Sequence, residues 1–152
     1  MICNYLERKH PEPAMYPKDA YGCGRAMWFE EFGDTKLVEI IGPGIFAQRI
    51  IQPLFFQQKT DESIVEKALN EQLPPWLDYL EKEIPGEFVV GGNLSIGDIG
   101  IASPFVNLMH AGEKIDATRW PKLARYVERI HARPSFAKLI EEEKGFFGAA
   151  AK

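Results

Sequence analysis

The hydrophobic positions of this 152-residue chain recur with the spacing of α-helices along most of its length. From Asp19, which can cap a helix, to about Ile41, apolar side chains form two adjoining stripes with acidic residues opposite. One of these stripes consists of Tyr21, Arg25, Trp28 and Phe32. An apolar arc this wide predicts a long helix that contacts neighbours on two sides.

Glycine and proline divide the middle of the chain. Gly42-Pro43-Gly44 predicts an interruption or kink of the long helix, and residues 45–57 then resume the helical pattern. Another helix opens at Asp61, and Pro74-Pro75 should bend or split it.

The last third contains the most apolar segment. Residues 96–110 are apolar nearly all round, which predicts a helix buried at the centre of the domain. Residues 87–93 before it form a loop, and further helices start near Pro121 and Pro134. No long stretch alternates with period two, so the pattern predicts an all-α fold, a multi-helix bundle.

Composition excludes several classes of function. With 45% hydrophobic residues the chain can bury a core, and its net charge of -4 argues against broad binding to nucleic acid or anionic membranes. No apolar run approaches the roughly 20 residues that span a bilayer. The start does not read as a signal peptide, because Glu7 and Arg8 cut its apolar stretch short.

The potentially reactive side chains are few. Two cysteines, Cys3 and Cys23, provide neither a disulfide framework nor a zinc site, so a reducing cytoplasm is expected, with both thiols as small buried hydrophobes. The three histidines are not spaced as metal ligands, and we expect no metal. His110 ends the central helix, where a capping role is favoured over a proton shuttle.

The segment GGNLSIGDIG, residues 91–100, has glycines spaced as in a phosphate-binding loop. Gly92 and Gly97 match the outer glycines of that loop, but Asp98 and Ile99 stand where it needs Lys and Ser or Thr. An acid at this position disfavours phosphate.

The same residues fit the start of a helix. The Ser95 hydroxyl can accept from the backbone N–H of Asp98, while the Asp98 carboxylate accepts from the N–H of Ser95, which makes a capping box. Leu94 precedes the cap and can pack on Ile99 as a hydrophobic staple. The segment therefore predicts the capped start of the buried helix.

The segment NLSIGDIGIASPF, a capping box and staple that open a buried, proline-containing helix, resembles the folding motif of soluble glutathione transferases. ICNYLERKHPEPAMYPKD resembles the end of the family's thioredoxin-like domain and the linker after it. GRAMWFEEFGDTKL, LPPWLDYLEKE and WPKLARYVERIHARPSF resemble later helices of its carboxy-terminal domain. The resemblance covers residues 1 to about 143, and the order and spacing of the motifs make it specific.

The resemblance implies a division of the chain. Residues 1–10 correspond to the last helix of a thioredoxin-like domain, 11–18 to the linker, and 19–152 to the helical domain. The family binds glutathione and holds its thiolate in the thioredoxin-like domain, which this chain lacks. No residue is therefore assigned as catalytic, no cofactor is expected on this chain, and the isolated chain is expected to be inactive. Glutathione would be the co-substrate of a parent protein.

The resemblance also implies a wall for a hydrophobic electrophile, formed by Tyr21, Arg25 and Trp28 and by Phe146 and Phe147 in the carboxy-terminal tail. Tyr21 offers a phenol, Arg25 a positive charge and Trp28 a flat apolar face. The alternative is that they are packing residues, with Arg25 paired to acids of its own helix.

Family members dimerise partly through this domain, so a homodimer is expected. The competing interpretation is a non-catalytic helical interaction module. A thioredoxin-like domain encoded just upstream of Met1 would favour the transferase.

Overall fold

The computed structural model describes residues 2–150, with side chains through Phe147. Its α-helices are α1 (Ile2–Lys9), α2 (Ala20–Phe32), α3 (Val38–Ile41), α4 (Gln52–Phe56), α5 (Glu62–Lys67), α6 (Pro74–Glu83), α7 (Ile96–His110), α8 (Pro121–His131) and α9 (Pro134–Ala150). The described residues include no strand, which confirms the all-α prediction.

A single helical rod runs from Ala20 to Phe56. It begins where the Asp19 carboxylate accepts the backbone N–H of Gly22 at 2.7 Å. Wider π-helical turns at Gly33–Leu37 and Gly42–Ile51 join α2, α3 and α4. The predicted interruption at Gly42-Pro43-Gly44 is thus a change of hydrogen-bond pattern, and the helix continues. The change of pattern accommodates Pro43, which has no backbone N–H to continue the i to i−4 hydrogen bonds of α3.

The next helical segment, residues 62–83, is divided as the sequence predicts. A π-helical turn at Ala68–Gln72 follows α5, a bend falls at Leu73, and α6 begins at Pro74. Proline suits a first helical position because the N–H that it lacks would have no partner inside the helix.

The central helix α7 lies very close to α2 because small residues meet at their crossing. A Cβ on Gly97 would lie 3.0 Å from the carbonyl oxygen of Ala26, and one on Gly100 would lie 2.8 Å from the Cα of Glu30. A Cβ on Gly33 would overlap the carbonyl of Gly100. Pro104 has no N–H to donate to that carbonyl, so the backbone of Gly33 packs against an oxygen that has no partner from the helical ladder.

Helix α8 also packs against α7, and it does so with a strongly amphipathic face. Its buried residues are Leu123, Ala124, Tyr126, Val127 and Ile130. Two carboxylates of α6 fix its start. Asp78 accepts the indole N–H of Trp120 at 2.7 Å, and Glu81 accepts the backbone N–H of Leu123 at 2.8 Å.

Helix α1 buries none of its side chains, yet it is connected to α7. The Glu7 carboxylate accepts the backbone N–H of Met15 at 3.0 Å, and the carbonyl of Met15 accepts the N–H of Ile96 at 2.8 Å. The segment between α1 and α2 therefore satisfies a free N–H in the first turn of α7. The division of the chain after residues 10 and 18 stays a prediction.

Candidate functional site

Tyr21, Arg25 and Trp28 lie on one face of α2, and Arg25 and Trp28 contact α6. Tyr21 is 79% exposed and Trp28 is 52% exposed. Arg25 is held on both sides, because its Nη2 donates to Glu83 at 2.6 Å and its guanidinium lies 4.7 Å from the centre of the Phe29 ring. The ion pair with an acid of α6 differs from the predicted pairing within the same helix. Burial by itself would lower the pKa of Arg25, but the hydrogen bond and charge of Glu83 outweigh it and raise that pKa.

An aromatic surface extends from Trp28 onto α6. The indole N–H of Trp28 donates to the hydroxyl of Tyr79 at 3.1 Å. The Tyr79 ring lies 5.2 Å from that of Phe32, which also meets Trp76 edge-on at 5.8 Å. Tyr21, Arg25 and Trp28 of the predicted wall thus share one surface. Tyr79 also belongs to this surface, although the sequence gave it no role in the site.

Phe147 packs at a different place. Its ring meets that of Phe46 at 5.7 Å, that of His110 at 5.1 Å and that of Phe146 at 5.4 Å. His110 also pairs with Glu143 at 2.9 Å, so the residue predicted as a helix cap bridges α7 to α9.

The structure does not bring Phe147 to Tyr21 and Trp28. Gly97, in the first turn of α7, lies against Ala26 of α2, whereas Phe147 lies against His110, the last residue of α7. A helix of this length separates its ends by roughly 20 Å. The predicted wall is therefore two surfaces at opposite ends of the central helix.

A second polar group of α2 contacts the segment before it. The Tyr16 hydroxyl donates to Glu30 at 3.0 Å, and burial, followed by Glu30, raises the pKa of Tyr16. Burial and Glu30 also raise the pKa of the Cys3 thiol, so it is a poor thiolate nucleophile. Cys3 and Cys23 are half-buried, so the prediction that both thiols are buried was wrong.

Asp98 forms the capping box with Ser95 that the sequence predicts, and the box belongs to a larger network. Its Oδ2 accepts the N–H of Ser95 at 2.8 Å and the Ser95 hydroxyl at 2.9 Å. Its Oδ1 accepts the N–H of Val89 at 2.8 Å and the Tyr126 hydroxyl at 2.9 Å. The carboxylate is fully buried and its oxygens are occupied by protein donors, which leaves it a folding role.

The sequence could not show that Val89 and Tyr126 join this network, since they lie in other elements. The phenol is buried, and burial, together with the Asp98 carboxylate, raises the pKa of Tyr126. Leu94 packs against the core and Ile99 is half-buried, while their contact as a staple stays a prediction.

A cleft of about 600 Å³ opens between α7, the loop after it and α8, away from Tyr21 and Trp28. Its lining is mainly apolar and includes Phe105, Leu108, Ile115, Val127, Glu128 and His131. His131 Nε2 lies 2.9 Å from the carbonyl of Ala102, and its ring stacks on Phe136. Burial lowers the pKa of His131. With Nε2 facing a carbonyl, this histidine has a structural partner.

Two further kinds of site were sought among residues 2–150. No group of three His, Cys, Asp or Glu side chains there could hold a metal ion. No helix in the same range is long and apolar enough to cross a membrane.

Known proteins share this sequence pattern and fold. A family model described as glutathione S-transferase, C-terminal domain, matches residues 46–143. Maleylacetoacetate isomerase of Dictyostelium discoideum is 24% identical over 148 residues, which is 94% of this chain and 63% of that protein.

Two solved structures illustrate the likeness. A glutathione S-transferase from Rhodospirillum rubrum aligns with a TM-score of 0.78 at 20% identity, over 89% of this chain and 60% of that one. A glutathione S-transferase from Methylobacterium radiotolerans, in complex with glutathione sulfonate, aligns with a TM-score of 0.68 at 25% identity, over 90% of this chain and 62% of that one. The chain thus spans roughly three fifths of the length of these relatives.

Proposed function

Because the chain belongs to the glutathione S-transferase family through a match to its C-terminal domain, we propose that it forms one wall of a site for a hydrophobic electrophile. Tyr21, Arg25 and Trp28 contribute that wall, and glutathione is held by residues outside this sequence. Cytoplasmic detoxification by glutathione conjugation is the corresponding role.

The observation that carries the proposal is the exposed aromatic surface at the start of α2. Tyr21 and Trp28 are both more than half exposed, although Ala26 and Phe29 on the same helix are fully buried. Large exposed aromatic side chains that lie together are typical of binding surfaces. The indole face suits an aromatic electrophile, and the Tyr21 hydroxyl, which has no hydrogen-bond partner among the described residues, can donate a hydrogen bond to it.

Arg25 contributes less than the two aromatic residues. Glu83 already neutralises its charge, so its main effect is to fix α2 against α6. Arg25 and the indole N–H of Trp28 both have hydrogen-bond partners within the domain, as expected if they are packing residues. This observation favours the second candidate function, a non-catalytic interaction module.

The test is binding of 1-chloro-2,4-dinitrobenzene to the chain, followed by the NMR signals of the indole N–H groups. The Trp28 signal should shift saturably, while that of buried Trp120, bonded to Asp78, stays fixed. Trp28→Leu should weaken binding about tenfold, which corresponds to the loss of one stacked aromatic contact. Phe147→Leu, at the far end of α7, is the matched control. Equal binding by wild type and Trp28→Leu would refute the wall and leave the interaction module.

We further propose that the chain forms a homodimer. Met27 of α2 is about half exposed, and a partner subunit can cover such an apolar side chain. Light scattering at micromolar concentration should give twice the 17.2 kDa of one chain. A mass of one chain would contradict the proposal.

A further inference from the structure

A basic concavity lies on the outer side of α8, facing the loop after α6. It has a volume of about 390 Å³ and is lined by Ile84, Pro85, Gly86, Lys122, Arg125 and Arg129. Three of these six residues are cationic and none is acidic. We call this feature the α8 basic pocket.

Backbone carbonyl groups position the two arginines of the pocket. Arg129 Nη2 donates to the carbonyl of Glu87 at 2.6 Å and to that of Gly86 at 3.1 Å. Arg125 Nε donates to the carbonyl of Pro121 at 3.1 Å. These contacts orient the guanidinium groups without neutralising them, and neither Nη atom of Arg125 donates a hydrogen bond to any other described residue.

Three of the five other arginines of the protein are paired with carboxylates, and Arg8 and Arg133 are in none of the ion pairs of residues 2–150. Arg25 pairs with Glu83, Arg49 with Glu113 and Glu62, and Arg119 with Asp78. Within residues 2–150 the ion pairs include none of the three pocket cations.

Glu81, Glu87 and Glu128 are the acidic residues next to the pocket cations, and none of them is in an ion pair with those cations among the described residues. Glu81 accepts the backbone N–H groups of Lys122 and Leu123, and Glu128 lines the apolar cleft on the other side of α8. Within the part of the chain that the structure describes, the three cations of the pocket therefore have no ion-pair partner.

This arrangement disfavours the helix on which it is built. Lys122 and Arg125 are three positions apart and Arg125 and Arg129 four, so all three cations share one face of α8. Like charges at these spacings repel and destabilise a helix. Contacts with the loop after α6 and with the Tyr126 ring explain Arg129, but within residues 2–150 neither Lys122 nor Arg125 has a side-chain hydrogen bond to another element.

We propose that the α8 basic pocket binds a small soluble molecule that carries a phosphate group. Two planar guanidinium groups and an ammonium group around one concavity suit the oxygens of a phosphate, which accept charge-assisted hydrogen bonds. The volume admits a phosphate with a small attached body, for which Pro85 supplies an apolar wall.

The test uses pyrophosphate as the probe, added at constant ionic strength and measured by calorimetry. Wild type should bind saturably. Arg125→Gln should weaken binding about tenfold through the loss of charge-assisted bonds. Lys18→Gln removes the same charge from an exposed position outside the pocket and should bind as wild type does. Non-saturable binding, or equal weakening by the two variants, would overturn the proposal.

Stability provides an independent measurement. Without pyrophosphate, Arg125→Gln should unfold at the same temperature as wild type or higher, because it relieves the repulsion on α8. With pyrophosphate, only wild type and Lys18→Gln should gain thermal stability. Vesicles containing phosphatidylserine should not bind the protein, and binding to them in place of pyrophosphate would reject a soluble ligand.

Discussion

Asp98→Ala tests whether the carboxylate at the start of α7 organises the fold. The substitution removes a fully buried group that accepts four hydrogen bonds from three separate parts of the chain. The loop before α7 contributes the N–H of Val89, the cap contributes Ser95, and α8 contributes the Tyr126 hydroxyl. An ordinary capping box involves only the second of these, and its loss costs about 1–2 kcal/mol.

The expected effect is larger because the donors are buried. Val89, Ser95 and Tyr126 are each less than 5% exposed, so water cannot readily replace the carboxylate. Each buried donor left without a partner costs about 1–3 kcal/mol. The Ser95 hydroxyl can turn to another acceptor, whereas two backbone N–H groups and one phenol remain. Recovery of the desolvation cost of Asp98 offsets part of the loss, and we expect about 4 kcal/mol.

Smaller changes should rank below this value in urea denaturation experiments. Tyr126→Phe removes one donor to a charged acceptor and should cost about 2 kcal/mol. Ser95→Ala should cost about 1–2 kcal/mol. Asp98→Asn should lower the free energy of unfolding by less than Asp98→Ala does. The loss should still be measurable, because the amide NH₂ of asparagine must face the N–H of either Val89 or Ser95. Ser103→Ala, on an exposed part of the same helix, is the control.

The decisive comparison is a double-mutant cycle between Asp98→Ala and Tyr126→Phe. The two losses should fall short of additivity by about 1 kcal/mol or more, since each substitution removes the same contact. Additivity within about 0.3 kcal/mol would refute the network. Phosphate should change none of these values if the segment is a helix cap, and tighter phosphate binding by Asp98→Asn would restore the phosphate-loop interpretation.

Three further predictions concern other parts of the chain. Gly33→Ala should lower the free energy of unfolding in urea by about 3 kcal/mol, because the added methyl group overlaps the backbone of Gly100. Gly24→Ala, on the same continuous helix, has free space around it and should be neutral or slightly stabilising. Equal effects of the two substitutions would contradict the close crossing of α2 and α7. Burial lowers the pKa of His131, so as the pH falls below 6.5 the unfolded chain binds the proton first, and the free energy of unfolding decreases until the pH passes below the folded pKa. His131→Gln should make the decrease in the free energy of unfolding between pH 7 and 5 smaller. An unchanged dependence of that free energy on pH would refute this reasoning. The chain alone should neither bind glutathione saturably in calorimetry nor conjugate an aromatic chloride above the uncatalysed rate, and either activity would overturn the placement of the glutathione site outside these residues.

The sequence by itself determined the features that depend on neighbours along the chain. The helical periodicity, the cap at Asp19, the proline at the start of α6 and the box of Ser95 and Asp98 are all local, because each relies on contacts within a few residues. The apolar character of residues 96–110 likewise identified the helix that the others surround. The order of these local motifs was enough to indicate the family.

Only the tertiary structure decided which distant residues meet. The sequence placed Phe147 in a carboxy-terminal tail, whereas in the structure α9 includes Phe147 and carries it to the end of α7 away from Trp28. The helical pattern placed Arg25 on one face of a helix but did not identify its ion-pair partner, because Glu83 is 58 residues further along the chain. The same holds for Tyr126, whose hydroxyl completes the site of Asp98 from 28 residues away. Such contacts depend on how helices cross, and that geometry follows from the packing of all the elements together.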